Sequence, residues 1–228
     1  SAIGRIATQK LEMALGLAVP NSIRVTSAES SGDQCLEYFP VADATSYLDV
    51  NFVSASNSLT ALPFTASGLS GKKYAIIYPV VPATLYAASS PGPLATITSY
   101  SASVSGGIET VTLSGNHLFR SGSDAQRLYL AEEPVSFCVE GGKLFRYKNY
   151  TSSGLKSTQC TPDTASCLPS SAPNRALIAD TIVNSGLTAF NVAASRLQST
   201  GTVRLNLNFA DGAEAITIRH EIQITSAP

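Results

Sequence analysis

A single helical segment at the start of the chain, followed by a sequence of strands and turns, restricts the fold to the α+β class. Residues 3–19 have the periodicity of an amphipathic helix, which Pro20-Asn21 would end. At about 100° per residue the apolar side chains cover an arc of roughly 200°, whereas a helix packed on one surface needs about 100°. The excess indicates that the helix either sinks deep into its own domain or meets a second partner.

The rest of the chain, residues 22–228, is predicted to be a β-rich head that forms one globular domain, 1–228, with the helix. Glu140-Gly141-Gly142 predicts the turn of a hairpin over 134–148. Residues 151–174 are rich in Ser, Thr and Pro and predict a surface loop. Runs of β-branched and aromatic residues predict strands over 22–27, 35–39, 47–53, 73–80, 84–88, 95–100, 109–114, 127–131, 135–139 and 144–148.

A hairpin at the end of the chain is the clearest structural prediction. Apolar and polar residues alternate over 203–209 and 216–224, on the two sides of Asp211-Gly212. A two-residue turn at Asp211-Gly212 would place the apolar sets of both strands on one face. The same register would place Arg204 opposite Arg219, a like-charge pair that a bulge would relieve.

Four cysteines, none in CxxC spacing, indicate disulfides in an oxidising compartment rather than a zinc site. Three pairings are open. Cys160 and Cys167 both lie in the 151–174 loop, and closing that small ring would contribute about 2–3 kcal/mol. Cys35 and Cys138 would then join the early sheet to the central hairpin. Four reduced thiols in a cytosolic protein are the alternative.

Composition and motif content argue against an enzyme. The net charge is −1 and 14% of residues are charged, so no global field attracts nucleic acid or an anionic membrane. Of the two histidines, His117 is expected in an exposed turn and His220 on the apolar face of the last strand. No catalytic, phosphate-binding or metal-binding motif is present. We expect no catalytic residues, no metal and no cofactor.

A small basic group interleaves with aromatic residues on the second strand of the central hairpin. Lys143, Arg146 and Lys148 alternate with Phe145 and Tyr147. Such interleaving can bind a nucleic-acid strand. Three charges on a hairpin more often form a solvated face, so a DNA or glycan contact and a plain solvated surface both stay open.

The chain is expected to lack a membrane-spanning helix. Its most apolar stretch, 74–88, is too short and contains Pro79 and Pro82. The sequence has no initiator methionine, and Ser1-Ala2 looks like a cloning remnant. We therefore expect that an N-terminal segment has been removed.

An ordered series of segments, from about residue 5 onward, resembles the type IV pilin-like proteins. The first helix and the VPNSIRV segment at 19–25 resemble the exposed half of the long pilin helix. CLEYFPV at 35–41 resembles the first strand of the branch that holds the J-type minor pseudopilins. The MshO-type minor pilins of mannose-sensitive haemagglutinin (MSHA) pili are similar to this chain in HLFRS (117–121), RLYL (127–130), PVSFC (134–138), GKLFRY (142–147), 177–190, 203–209 and 214–225.

This resemblance implies a J-like pilin fold, with a truncated pilin helix packed on antiparallel sheets. It implies a short leader that is cleaved before a hydrophobic helical half. That half would hold the subunit in the inner membrane, with the water-soluble head in the periplasm. After assembly the head would lie in the extracellular pilus, at or near the tip.

The function implied is that of a minor pilin that helps to initiate pilus assembly within a tip complex. Its partners would be other minor pilins, the major pilin and the inner-membrane assembly platform. A tip-exposed adhesin or DNA- or glycan-binding module is an alternative, and a minor pseudopilin of a type II secretion system is a second. The partner interface is expected on the first helix, at Ile3, Ile6, Leu11, Met13 and Leu17.

Overall fold

The computed structural model describes residues 2–64, 71–102, 107–164, 167–193, 201–211 and 214–224. It confirms the α+β class, with antiparallel sheets and a short N-terminal helix. In chain order the elements are α1 (Ala2–Leu15), β1 (Arg24–Val25), β2 (Gln34–Tyr38), β3 (Val41–Asp49), β4 (Ser56–Ala61), β5 (Tyr74–Ile77), α2 (Pro82–Tyr86), β6 (Leu94–Ala102), β7 (Glu109–His117), β8 (Arg127–Ala131), β9 (Val135–Glu140), β10 (Lys143–Tyr147), β11 (Arg175–Ala179), β12 (Phe190–Ala193), β13 (Gly201–Asp211) and β14 (Glu214–Ile224).

The chain divides into two compact units, where the sequence predicts one globular domain. Unit 1 comprises Ser1–Tyr38 and Pro134–Ser226; unit 2 comprises Phe39–Glu133 and two terminal residues outside the described ranges. In sequence, unit 2 is therefore an insertion into unit 1 between β2 and β9. Those two strands pair directly, with Tyr38 opposite Val135. The chain leaves unit 1 at the end of β2 and returns at the start of β9. Because β2 and β9 are hydrogen-bonded neighbours, the insertion does not interrupt the sheet of unit 1.

Unit 1 packs α1 with two antiparallel sheets around one core. One sheet has the order β1-β2-β9-β10-β11, and the other has the order β12-β13-β14. The helix contacts β11, β13 and β14. Apolar side chains from the helix and from both sheets fill this core, among them Ala7, Leu11, Leu15, Leu36, Phe137, Val139, Leu144, Phe190, Val203, Leu205, Leu207 and Phe209.

The first helix ends at Leu15, four residues before the predicted end. It lies very close to the second sheet at Gly4, where an added Cβ would lie 2.2 Å from Cδ1 of Ile218 and 3.1 Å from the Phe209 ring. Thr8 is buried on the same side, and its hydroxyl donates to the Gly4 carbonyl. Small residues and an internally satisfied hydroxyl therefore allow the close helix–sheet contact.

The central hairpin is confirmed, with Glu140 opposite Lys143 across a two-residue turn. Gly141 and Gly142 form that turn with φ of 52° and 76°. Both values lie in the left-handed region that glycine tolerates best, as a type I′ turn requires.

The terminal hairpin is confirmed, but its predicted register is wrong by two residues. Asp211 pairs with Glu214 and therefore belongs to β13 rather than to the turn; Gly212 itself lies outside the described residues. Arg204 consequently pairs with Glu221 rather than with Arg219. Their side chains form an ion pair, which replaces the like-charge pair of the predicted register.

Unit 2 is a closed barrel in the order β3-β4-β7-β6-β5-β8. Residues 84–88, predicted as a strand, belong instead to the short helix α2, which begins at Pro82. Proline at the first helical position is favoured, because its fixed φ suits the helix and its missing N–H would have no helical partner. Three strands were not predicted from sequence: β4 in this barrel, and β11 and β12 in unit 1.

Candidate interaction surfaces

The first helix has three distinct faces rather than two. Gly4, Ala7, Thr8, Leu11 and Leu15 are buried and span about 100° of the helix circumference at 100° per residue. The exposed polar positions form a second face, made of Arg5, Gln9, Glu12 and Gly16.

The third face is an exposed apolar stripe formed by Ile3, Ile6, Met13 and Leu17, and we call it the helix stripe. Met13 is 75% exposed and Leu17, just past the helix end, 63% exposed. The four positions fall within about 80° of one another at 100° per residue. The wide apolar arc in the sequence is therefore two sets of residues, one in the core and one on the surface.

Leu11 does not belong to the helix stripe, although the sequence groups it with those residues. Its side chain is 0% exposed and lies in the core of unit 1. The other four predicted interface positions, Ile3, Ile6, Met13 and Leu17, are all exposed. Among the described residues, no helix combines the length and the apolar character that crossing a bilayer requires.

Both predicted disulfide pairs lie at bonding distance, Cys35 with Cys138 and Cys160 with Cys167. Cys35 and Cys138 are direct cross-strand neighbours on β2 and β9, with Cα atoms 4.1 Å apart. The two pairs belong to one small apolar cluster with Phe145, Tyr147, Tyr150 and Leu168. The 151–174 loop therefore covers the face of the five-stranded sheet that points away from the helix.

Two polar anchors attach this loop to the sheet. The Arg24 guanidinium donates to the carbonyls of Lys156 and Ser157. The Gln159 amide donates to the carbonyl of Cys35 at 3.1 Å. Within the described residues 151–164 and 167–174 the loop has no helix or strand. Its position is set by these hydrogen bonds and by the packing of Cys160 and Cys167 in the apolar cluster on the sheet.

A buried carboxylate lies beneath the loop, and sequence reasoning did not identify it. Glu37 of β2 forms an ion pair with Arg24. It also accepts a hydrogen bond of 2.8 Å from the Tyr150 hydroxyl, which in turn accepts one of 2.9 Å from Ser136. Burial raises the pKa of Glu37, and the Arg24 charge and the Tyr150 hydrogen bond oppose that shift without reversing it.

The raised pKa of Glu37 predicts a pH dependence of the stability of unit 1. Above the ordinary value of 4.5, the native state holds this proton more tightly than the unfolded state does. The contribution of Glu37 to the free energy of unfolding is therefore present below 4.5 and lost as pH rises through the raised pKa. In urea unfolding at a series of pH values, Glu37→Gln is expected to flatten this decline. Glu221→Gln, which removes an exposed ion pair, is the matched control, and equal pH slopes in wild type and Glu37→Gln would contradict the assignment.

The three basic residues predicted as a ligand contact do not form one patch. Side chains alternate between faces along β10. Lys143 is on the face that carries Phe145, whereas Arg146 and Lys148 are on the opposite face, with core residue Leu144. Lys143 is exposed, and the other two are half-buried.

Lys143 lines a cleft of about 430 Å³ in unit 1. The other cationic side chain that lines this cleft, Arg175, is held by interactions within the protein. Arg175 stacks on the Phe145 ring at 3.6 Å and forms an ion pair with Glu140. Its Nε donates to the Tyr147 hydroxyl, which donates to Glu140. Burial and the hydrogen bond to Glu140 raise the pKa of Tyr147 to about 12, so the phenol stays protonated at neutral pH.

His117 is not exposed, contrary to the sequence expectation. It closes β7 in unit 2, where its Nε2–H donates to the Gly92 carbonyl at 2.9 Å and its ring packs edge-on against Phe119. His220 is half-buried on β14, with Nε2 3.4 Å from a carboxylate oxygen of Glu12. In the part of the chain that the structure describes, no three His, Cys, Asp or Glu side chains are grouped as a metal site would require.

Comparison with protein-family models, with curated proteins and with solved structures gives no match to this chain. The surface that stands out is the helix stripe, which the wide apolar arc of the sequence indicates. The Arg24–Glu37–Tyr150 network carries no comparable local signal, because Tyr150 lies 113 positions from Glu37 in sequence.

Proposed function

We propose that this chain is the head of a type IV pilin-like minor subunit, of the MshO type found in MSHA pili, and that its role is assembly. The observation that supports this most directly is the helix stripe. Its helix is already docked into unit 1 through Leu11 and Leu15. The stripe residues are therefore not needed for the packing of unit 1. Contact with another subunit would bury them and explain why they are apolar.

The shape of the stripe favours a helix as its partner. Ile3, Ile6, Met13 and Leu17 follow one line along the helix, with Lys10 between them. Rows of side chains three or four residues apart are the ridges through which helices pack on one another. A filament whose core is made of subunit helices would cover such a row along its whole length.

The location we propose follows from the same resemblance. An apolar helical half preceding residue 3 would hold the subunit in the inner membrane before assembly and would join the filament core afterwards. Unit 1 and unit 2 would lie in the periplasm and later on the pilus, close to its tip. The two disulfide pairs support an oxidising compartment.

The partners we propose are the other minor pilins, the major pilin and the inner-membrane assembly platform. A minor pseudopilin of a type II secretion system would use the same helix stripe. The pilus and the pseudopilus would therefore differ in the subunit that contacts the stripe, and not in the surface of this chain. We do not propose a DNA- or glycan-binding function, because Lys143 is on a different strand face from Arg146 and Lys148.

The experiment that tests this function asks whether the helix stripe touches another subunit inside an assembled filament. A photo-crosslinking residue placed at Met13 reports that contact, because this side chain is exposed in the isolated head. The expected product is a covalent adduct between this chain and a second pilin in purified pili.

A further inference from the structure

The barrel of unit 2 buries a lysine next to an aspartate. The side chain of Lys72 is 1% exposed and that of Asp43 is 6% exposed, and Nζ of the lysine lies 3.4 Å from Oδ2 of the aspartate. Charged residues are almost never fully buried unless they are paired. This pair lies inside the barrel, where both charged groups lose their contact with water. The loss of hydration makes a buried ion pair energetically costly.

Two aromatic rings hold the lysine amine in place. Nζ of Lys72 lies 5.0 Å from the ring centroid of Phe64 and 5.1 Å from that of Tyr100. Both rings also pack against the barrel core. The amine is therefore fixed beside the carboxyl group by side chains that keep water away.

A second buried carboxyl group faces the same end of the barrel. All neighbouring strands are antiparallel, so β3 and β7 both begin at one end, where Lys72 precedes β5. Asp43 pairs with the core residue Leu130, and Glu109 pairs with the core residue Ala61, so both carboxyl groups face inward. Glu109 is buried, and among the residues that the structure describes no donor is hydrogen-bonded to its Oε2 atom.

We propose that Lys72 and Asp43 react with each other to form an intramolecular isopeptide bond, with Glu109 as the proton carrier. Nζ of Lys72 forms a bond to Cγ of Asp43, and one Cγ–O bond breaks. The amine loses two protons to the departing oxygen, which leaves as water, and Glu109 takes up and returns the proton in transit. Nothing is oxidised or reduced, and no other reactant is needed.

The geometry favours this condensation over a lasting ion pair. Amide formation would remove both buried charges and with them the desolvation cost of the ion pair. A desolvated lysine held next to an electrophilic carbon is a nucleophile in the sense used by lysine-dependent enzymes. Fixed proximity of the two groups replaces the entropy cost of bringing separate reactants together.

The bond would join β3 to the segment that precedes β5 and would brace one end of the barrel covalently. It goes beyond the assembly role, because it concerns unit 2 and requires no partner. It would also be formed by a chain that is not a pilin, so the two proposals can fail separately.

Intact-mass spectrometry of the denatured, disulfide-reduced full chain tests the bond. The expected mass is that of the sequence less one water molecule, and proteolysis should yield one branched peptide that contains both Asp43 and Lys72. A mass equal to that of the unmodified sequence would overturn the proposal and leave a buried ion pair. This measurement uses the wild-type protein, so it does not depend on whether a variant folds.

Variants then assign the reacting groups. Lys72→Arg is expected to restore the full mass, and Asp43→Asn is expected to lose ammonia in place of water, since the side-chain nitrogen of asparagine leaves as ammonia. Lys73→Arg is the matched control, because Lys73 forms an ion pair with Glu133 and is partly exposed, so loss of water should persist. Glu109→Gln should stop or greatly slow the loss of water; an unchanged rate would overturn the role given to Glu109.

Discussion

Replacing Met13 and Leu17 together with glutamate is expected to reduce the number of surface pili by about tenfold or more. Both side chains are largely exposed on the isolated head, so the folded unit 1 should lose no more than about 0.5 kcal/mol. In the assembled filament the same positions would be covered, and an unpaired charge there would lack both water and a partner. A cost of about 1.4 kcal/mol already changes an equilibrium tenfold.

The matched control is the pair Arg5→Gln and Gln9→Glu, which changes the net charge by the same amount on the polar face of the same helix. Pili counted by electron microscopy in a complemented deletion strain, together with the thermal midpoint of each purified head, separate assembly from folding. Equal loss of pili in both double variants would mean that net charge matters and the helix stripe does not. Normal numbers of pili in Met13→Glu/Leu17→Glu would mean that the stripe has no partner.

Replacing Cys35 and Cys138 with alanine is expected to lower the free energy of unfolding by about 5 kcal/mol. The bond joins residues 103 positions apart in sequence, and the chain-entropy estimate for a loop of that size is about 4.7 kcal/mol. The loop contains the continuous part of unit 2, Phe39–Glu133, so the bond fixes the strands where that insertion leaves and rejoins unit 1. Loss of the packed sulfur atoms in the apolar cluster adds to the effect.

Cys160→Ala with Cys167→Ala is the comparison, because its loop has a sequence separation of 7 and an expected effect of about 2–3 kcal/mol. The chain has no tryptophan, so tyrosine fluorescence and circular dichroism are the probes for unfolding in guanidinium chloride. A Cys35/Cys138 variant as stable as the wild type would show that the pair is reduced in the native protein. The argument for an oxidising compartment would then lose its support.

The faces of the terminal hairpin were predictable from sequence, but its register was not. A shift of two residues keeps every side chain on the same face, so alternation alone cannot distinguish the two registers. Cross-strand charge could have done so, since one register opposes Arg204 to Arg219 and the other opposes it to Glu221. The like-charge pair in the predicted register was the signal that this register is wrong.

The extent of the apolar arc on the first helix was predictable, but its division into core and surface was not. Periodicity treats Leu11 and Met13 alike, although one is fully buried and the other is the most exposed of the set. The choice depends on where the helix can approach the sheet, and Gly4 and Ala7 decide that through their small size. Hydrophobicity alone therefore does not locate the buried face of this helix.

The buried polar groups were not predictable, because each joins distant parts of the chain. Arg24 and Glu37 are cross-strand partners on β1 and β2, but Tyr150 lies 113 positions from Glu37 in sequence and reaches it only in the folded unit. Lys72 and Asp43 meet only when the barrel closes. Local sequence patterns carry secondary-structure information, whereas such contacts depend on strand order.

The central claim, that the helix stripe is a subunit contact, is tested most directly by photo-crosslinking from position 13 in purified, assembled pili. The expected result is an adduct with a second pilin subunit from Met13 and a much weaker one from Gln9, on the polar face of the same helix. Incorporation of the Met13 probe into pili with no adduct to another subunit would contradict the claim.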